Sequence, residues 1–241
     1  MFLTPYYSYD NNQFQFTRQQ ASHFAKLVAG DFNPIHDEDN KRFCVPGDLL
    51  FSVLLSQKGI SEKMRFDFSG MVSDNVVLSI EEKSESESSL VDANGKEYLH
   101  MQHEGQISTN PDFIKHVVTN YVQFSGMNFP HIMVPLMEEQ QVMINSQRPL
   151  VIYESMEVEF TTLNVTHPEV DYTGATFDVE GKRGVVTMKF DFKEDGKVIG
   201  TGTKRMIATG LKPYEQEAID ELVTRFNSLK EEFLAQYSNV A

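Results

Sequence analysis

Asp31 and His36 stand five residues apart in the run Gly30-Asp31-Phe32-Asn33-Pro34-Ile35-His36, a stretch that no single regular element can hold. Pro34 has no N–H to give a helix, and it pushes Asn33 out of the α region. Gly30 stops the helical pattern that precedes it. A loop therefore brings the carboxylate and the imidazole together, and loops on a rigid scaffold are where catalytic groups commonly lie. Such a pair can hold one water, one partner taking a proton while the other gives one. On spacing alone, the same residues also suit a loop whose turns are capped by its own side chains.

The flanking elements sharpen this reading. Thr17 with Gln20 forms a capping-box start, and Ala21, Phe24, Ala25 and Val28 recur at helical spacing up to Gly30. Beyond the loop, Val45-Pro46-Gly47 leads into Leu49, Leu50, Phe51, Val53, Leu54 and Leu55, ended by Gly59. That second helix is apolar on nearly every side and must be buried. Helix, G-D-x-N-P-I-H loop and buried helix opened by a glycine together resemble the MaoC-like branch of the hotdog superfamily. Its members include the (R)-specific enoyl-CoA hydratases, also called hydratase 2. Ala29 to His36 matches the hydratase pattern at every fixed position, and the close resemblance covers roughly residues 14–59.

The resemblance implies reversible hydration of a trans-2-enoyl thioester, carried on coenzyme A or an acyl carrier protein, to an (R)-3-hydroxyacyl thioester. It makes Asp31 the base that deprotonates water and His36 the group that holds the same water and protonates the α-carbon. Gly47 would aim its N–H at the thioester oxygen, while Asn33 and Gly30 shape the loop. No metal or cofactor is implied. The chain departs from the family at Pro46-Gly47-Asp48, where members often read H-G-M or H-G-L, and in the shorter segment between His36 and Pro46. Asp48 places an anion beside the expected oxyanion donor, which disfavours an enolate unless the side chain points away. Two alternatives accompany the hydratase: an acyl-thioester binding or regulatory protein without turnover, and a hotdog thioesterase that aims its water at the carbonyl.

The second half reads as a worn copy of the first. Met64-Arg65-Phe66-Asp67-Phe68 is echoed by Met156-Glu157-Val158-Glu159-Phe160, 92 residues on, and Asn94-Gly95-Lys96 by Asp195-Gly196-Lys197, 101 residues on. Strands are expected to leave these turns at Tyr98–Ile107 and Val198–Ala208. Pro111-Asp112 opens a helical pattern through Phe113, Val117, Val118, Tyr121 and Val122, and a second buried helix is expected after Pro135, with Leu136, Met137, Val142 and Met143. The expected fold is α+β, a double hotdog: repeats over 1–109 and 110–213, then a C-terminal amphipathic helix over 214–241. Ile219, Leu222, Val223, Phe226, Leu229 and Phe233 give that helix an apolar stripe expected to pack back on the sheet. Where the motif should recur stands Ser125-Gly126-Met127-Asn128-Phe129-Pro130-His131, without the acid and one residue short.

Composition bounds the rest. The chain has 241 residues, 40% of them hydrophobic, enough for a substantial core. A net charge of −14 argues against nucleic-acid binding and offers an anionic thioester no general attraction. The start, Met1 to Tyr7, lacks the pattern of a signal peptide, no apolar run is long enough for a membrane span, and Cys44 is the only cysteine, so a cytoplasmic protein is expected. Cys44 reads as a buried small residue, and His100 and His103 face opposite sides of a strand instead of forming a metal site. The run Lys83 to Ser89 reads as a solvated strand end or loop, and pairing of two copies into a homodimer is a further expectation.

Overall fold

The structure, a computed structural model, describes residues 2–146 and 150–238; Met1 and the last three residues of the expected tail helix lie outside them. A short hairpin, β1 (Ser8–Asp10) and β2 (Gln13–Gln15), leads to α1 (Arg18–His23). The Thr17 hydroxyl accepts from the Gln20 N–H at 3.1 Å, and the Gln20 side chain accepts from the Thr17 N–H at 3.0 Å, so the capping box is closed at both ends. Phe24–Ala29 continue the helix as a wider π-type turn that ends on left-handed Gly30, φ +65°. There the Asp31 N–H closes back onto the Ala25 carbonyl at 2.8 Å, the geometry of a glycine-terminated helix.

The next helix, α2 (Gly47–Lys58), buries every residue from Asp48 to Leu55. Around it curl β3 (Ile60–Phe68), β4 (Leu78–Ser84), β5 (Glu87–Asp92) and β6 (Glu97–Ser108), in the antiparallel order β2-β4-β5-β6-β3. The second half contributes α3 (Pro111–Gly126), α4 (Val134–Glu139), β7 (Val142–Met143), β8 (Val151–Phe160), β9 (Glu169–Glu180), β10 (Arg183–Glu194) and β11 (Lys197–Thr209). Its long strands run β8-β11-β10-β9, the mirror of β3-β6-β5-β4. A short strand β12 (Lys212–Pro213) pairs with β7, and α5 (Gln216–Ser238) follows. Because β3 pairs antiparallel with β8, the two halves share one ten-stranded sheet. The chain is α+β and a double hotdog.

The register carries the duplication seen in the sequence. Met64 pairs with Val158, Phe66 with Met156, and Arg65 with Glu157, its own counterpart 92 residues on. A pseudo-twofold axis therefore passes through the Arg65–Glu157 pair. Phe66 also faces Met101, and its counterpart Val158 faces Gly202, which is the 101-residue offset of the two hairpins. In the second hairpin, Asp195 and Gly196 both take positive φ, the demand of a two-residue turn that matches strand twist.

Two expectations need correction. The helix after Pro135 is only the six residues of α4, and of these only Met137 is buried, while Val142 and Met143 belong to β7. It is α3 that buries eight residues, including Phe113, Val118 and Tyr121, and fills the place beside α2. The Lys83–Ser89 run is a solvated strand end and turn as far as Ser86, but Ser88 and Ser89 lie inside β5 and are buried, their hydroxyls donating to Glu82 and Glu97. One core surrounds α2 and α3, and a second lies between α4, α5 and the other end of the same sheet face. No helix among the described residues is long and apolar enough to cross a membrane.

At Gly126 the end of α3 meets the backbone that delivers Asp31. A Cβ there would stand 2.1 Å from the Ala29 carbonyl oxygen and 3.0 Å from the Asp31 nitrogen. Backbone cannot swing aside as a side chain can, so Gly126→Ala must push the two segments apart. The expected loss, read from urea unfolding, is ~1–3 kcal/mol, the usual cost of overpacking. An unchanged midpoint would mean that the contact is slack.

Candidate active site

The motif loop is held by its own polar groups. Asp31 Oδ1 accepts from the Asn33 N–H at 2.8 Å, Asn33 Oδ1 accepts from the Ile35 N–H at 3.2 Å, and the His36 N–H reaches the Asn33 carbonyl at 3.0 Å. These are nested side-chain turns of the kind Asp and Asn make when proline forbids a helix. The short segment after His36 is fastened too: Arg18 donates to the Glu38 and Asn40 carbonyls, and the Asn40 side chain donates to the Pro34 carbonyl at 2.6 Å. Phe32, at the loop centre, is buried beneath α5, its ring 5.9 Å from those of both Phe226 and Phe233.

The structure brings Asp31 and His36 together. His36 Nδ1 lies 2.7 Å from the Cys44 carbonyl, and a carbonyl only accepts, so Nδ1 carries a proton. The exchangeable position is therefore Nε2, which stands 3.5 Å from Asp31 Oδ2. That separation is long for a direct hydrogen bond but lets one water bond both groups. The role of Cys44 lies in its backbone. Burial pushes its thiol up to about 11, so it is not a thiolate at neutral pH.

Gly47 opens α2 against the stacked rings of Phe68 and Tyr153, whose centroids are 4.0 Å apart. A Cβ there would come within 3.1 Å of Phe68 and 3.3 Å of Tyr153, so any larger residue has to push those rings back by a few tenths of an ångström. The Leu49 and Leu50 N–H groups both close onto the Pro46 carbonyl, leaving those of Gly47 and Asp48 outside the helical ladder. They form the positive end of the helix dipole and suit an oxyanion.

Asp48 does not face that end as a bare anion. Its Oδ2 accepts from the Ser125 hydroxyl at 2.5 Å, and the same hydroxyl accepts from the ammonium of Lys204. All three side chains are buried, Lys204 being only 4% exposed. Burial pushes the Asp48 carboxyl up and the Lys204 ammonium down, while their mutual attraction opposes both shifts. Lys204 also sits 4.1 Å from the centre of the Tyr153 ring. The Tyr153 hydroxyl is bonded to that of Tyr121, and burial holds both phenols well above their usual range.

Asp31, His36, Gly47, Asp48, Ser125 and Lys204 all line one cavity of about 500 Å³. Its other walls are mostly apolar, among them Met71, Met133, Ile152 and Met206, with Leu222, Phe226 and Leu229 from α5. Such a space, apolar with a few convergent polar groups, suits a small organic ligand. Asn128 lines it too, buried, with neither atom of its amide hydrogen-bonded to protein. Arg225 contributes an exposed cation. His131, by contrast, is exposed on a π-type turn and is not among the lining residues.

Sequence reasoning missed Ser125, Asn128, Tyr153, Lys204 and Arg225 as cavity residues. A signal existed for Lys204: it alternates with Gly202, Met206 and Ala208, so its phase in β11 is the inward one. Ser125 likewise falls on the buried face of α3, four residues after Tyr121. Arg225 and Asn128 carry no comparable signal.

The family model described as "Protein of unknown function (DUF3581)" matches residues 1–217. No curated protein matches the chain. Among solved structures, a putative thioesterase II from Thermobifida fusca is 8% identical, with 83% of this chain and 93% of that one covered and a TM-score of 0.43. An acyl-CoA thioesterase II from Mycobacterium marinum is 11% identical over 89% and 100% of the chains, TM-score 0.44. A MaoC-like dehydratase is 10% identical over 85% and 98%, TM-score 0.43. At TM-scores under 0.5 these are likenesses that carry nothing about activity.

The buried charges set two expectations. Lys204→Met alone leaves Asp48 uncompensated and should cost roughly 3–5 kcal/mol in urea unfolding, whereas Asp48→Asn with Lys204→Met should recover most of that loss. Equal losses in both would show that the folded protein holds no net charge pair here. Cys44 should react with iodoacetamide far more slowly in the folded protein than in urea at the same pH; similar rates would contradict its burial.

Proposed function

The chain belongs to the DUF3581 family, and we propose that it acts on acyl thioesters as a hydratase or dehydratase, interconverting trans-2-enoyl and (R)-3-hydroxyacyl thioesters. The observation that carries this reading is the 3.5 Å approach of Asp31 Oδ2 to His36 Nε2, close enough for one water beside them to bond both, on an apolar cavity at the start of α2. The resemblance of residues 29–36 to the MaoC-like hydratases supports it.

The β-carbon of an enoyl thioester is electrophilic only while the carbonyl draws electrons, so the oxygen needs a donor as the enolate forms. The Gly47 N–H fills that role. A water held by Asp31 and His36 gives its proton to Asp31 as its oxygen bonds to the β-carbon. His36, with Nδ1–H anchored on the Cys44 carbonyl, gives the Nε2 proton to the α-carbon. Return of the proton from Asp31 to Nε2 restores the pair. In this reading residues 1–109 are the catalytic repeat, 110–213 wall the cavity, and α5 closes its side. Among the described residues, Arg225 is the one exposed cation of the lining, and it suits a phosphate of the carrier.

The test follows loss of the conjugated-thioester absorbance with trans-2-enoyl-CoA of several chain lengths. Asp31→Asn and His36→Gln should each lower the rate by ~10²–10⁴ without unfolding the protein. Near-normal rates in either variant would sink the site assignment. Release of free thiol without hydroxyacyl product would establish a thioesterase, in which the same water attacks the carbonyl. Saturable binding with neither product would establish a binding or regulatory protein.

A further inference from the structure

Lys204 has three N–H donors. The Ser125 hydroxyl takes one, and the face of Tyr153 attracts the ammonium without supplying a lone pair. A buried ammonium on the cavity wall thus retains donor capacity that no group among the described residues meets. One helical turn beyond Ser125, the Asn128 amide lies buried on the same wall with both polar atoms unpaired. Unpaired buried donors are rare in folded proteins, and one beside a partly satisfied ammonium on the same cavity wall points to a ligand acceptor.

Their place says which acceptor. Ser125 bonds directly to Asp48, the residue next to Gly47, so the Lys204–Ser125 unit abuts the N–H groups of α2 that lie outside the helical ladder. We propose that Lys204 and Asn128 form a second donor set, supplied by the second half, for the carbonyl oxygen of the bound thioester. Ser125 positions Lys204, and the ammonium offsets the Asp48 charge that would otherwise repel a developing enolate. The subsite rests on the acyl-thioester reading above, but not on which reaction follows.

The experiment compares binding of a saturated acyl-CoA thioester with its thioether analogue, which lacks the carbonyl oxygen, by calorimetry. An Asp31→Asn background keeps the thioester intact. The parent should prefer the thioester, and Asp48→Asn with Lys204→Met, which keeps the charge balanced, should cut that preference roughly 10- to 100-fold. Asn128→Leu removes no protein hydrogen bond, so it should fold at least as stably as the parent while also weakening the preference. An undiminished preference in both variants would overturn the proposal and leave Gly47 as the sole donor. Equal binding of the two ligands by the parent would overturn it as well. Binding of neither would refute the acyl-thioester reading itself, and the proposal with it.

Discussion

The antiparallel pairing of β3 with β8 is the constraint on which the rest depends. Because Arg65 meets its own counterpart Glu157, each half is turned over on the other about one axis, and the sheet runs unbroken through both. A single hotdog could present Asp31, His36 and Gly47 but would leave their cavity without its far wall. With the halves joined, Tyr153 of β8 stacks on Phe68 of β3, and Lys204 of β11 reaches the start of α2 through Ser125. The aromatic stack and the buried charge chain are both consequences of that register.

The chain spends stability at this junction. Burying Asp48 and Lys204 strips both of water, and only the bridging hydroxyl and their attraction offset the loss. A close-packed apolar pair would hold the halves together at least as well. Burial also leaves Asp48 Oδ1 and the Asn128 amide without protein partners. Such groups concentrate where a protein must meet something polar that is not itself.

Local signals made much of the fold legible from the sequence. The capping box at Thr17, the Gly30 stop, the all-round apolar pattern of α2, and the turns at Gly95 and Gly196 each act within a few residues. The 92- and 101-residue offsets were legible for a different reason: a duplicated strand keeps its alternation even after its identities drift. What was not legible depends on contacts across the chain. Lys204 bonds to Ser125 from 79 residues away, and Ser125 to Asp48 from 77. No window of sequence holds both ends of such a bond. The helix misplaced after Pro135 failed on a local ambiguity: Leu136 and Met143 recur seven apart as a helix would place them, yet Gln141 takes positive φ and ends α4 before β7.

The second half carries no acid at the matching place, and there the segment Ser125-Gly126-Met127-Asn128 forms the end of a helix instead of a loop. Gly126 lets that helix touch the backbone between Ala29 and Asp31, closer than any side chain would permit. Ser125 and Asn128 then fall on one face, toward the cavity. From the other side α5 presses Phe226 and Phe233 onto Phe32, so the loop bearing Asp31 is gripped between α3 and α5. A loop of nested Asx turns is stiff only where its neighbours leave it no second arrangement. The helix end in one half and the rigidity of the Asp31 loop in the other are therefore two sides of the same packing.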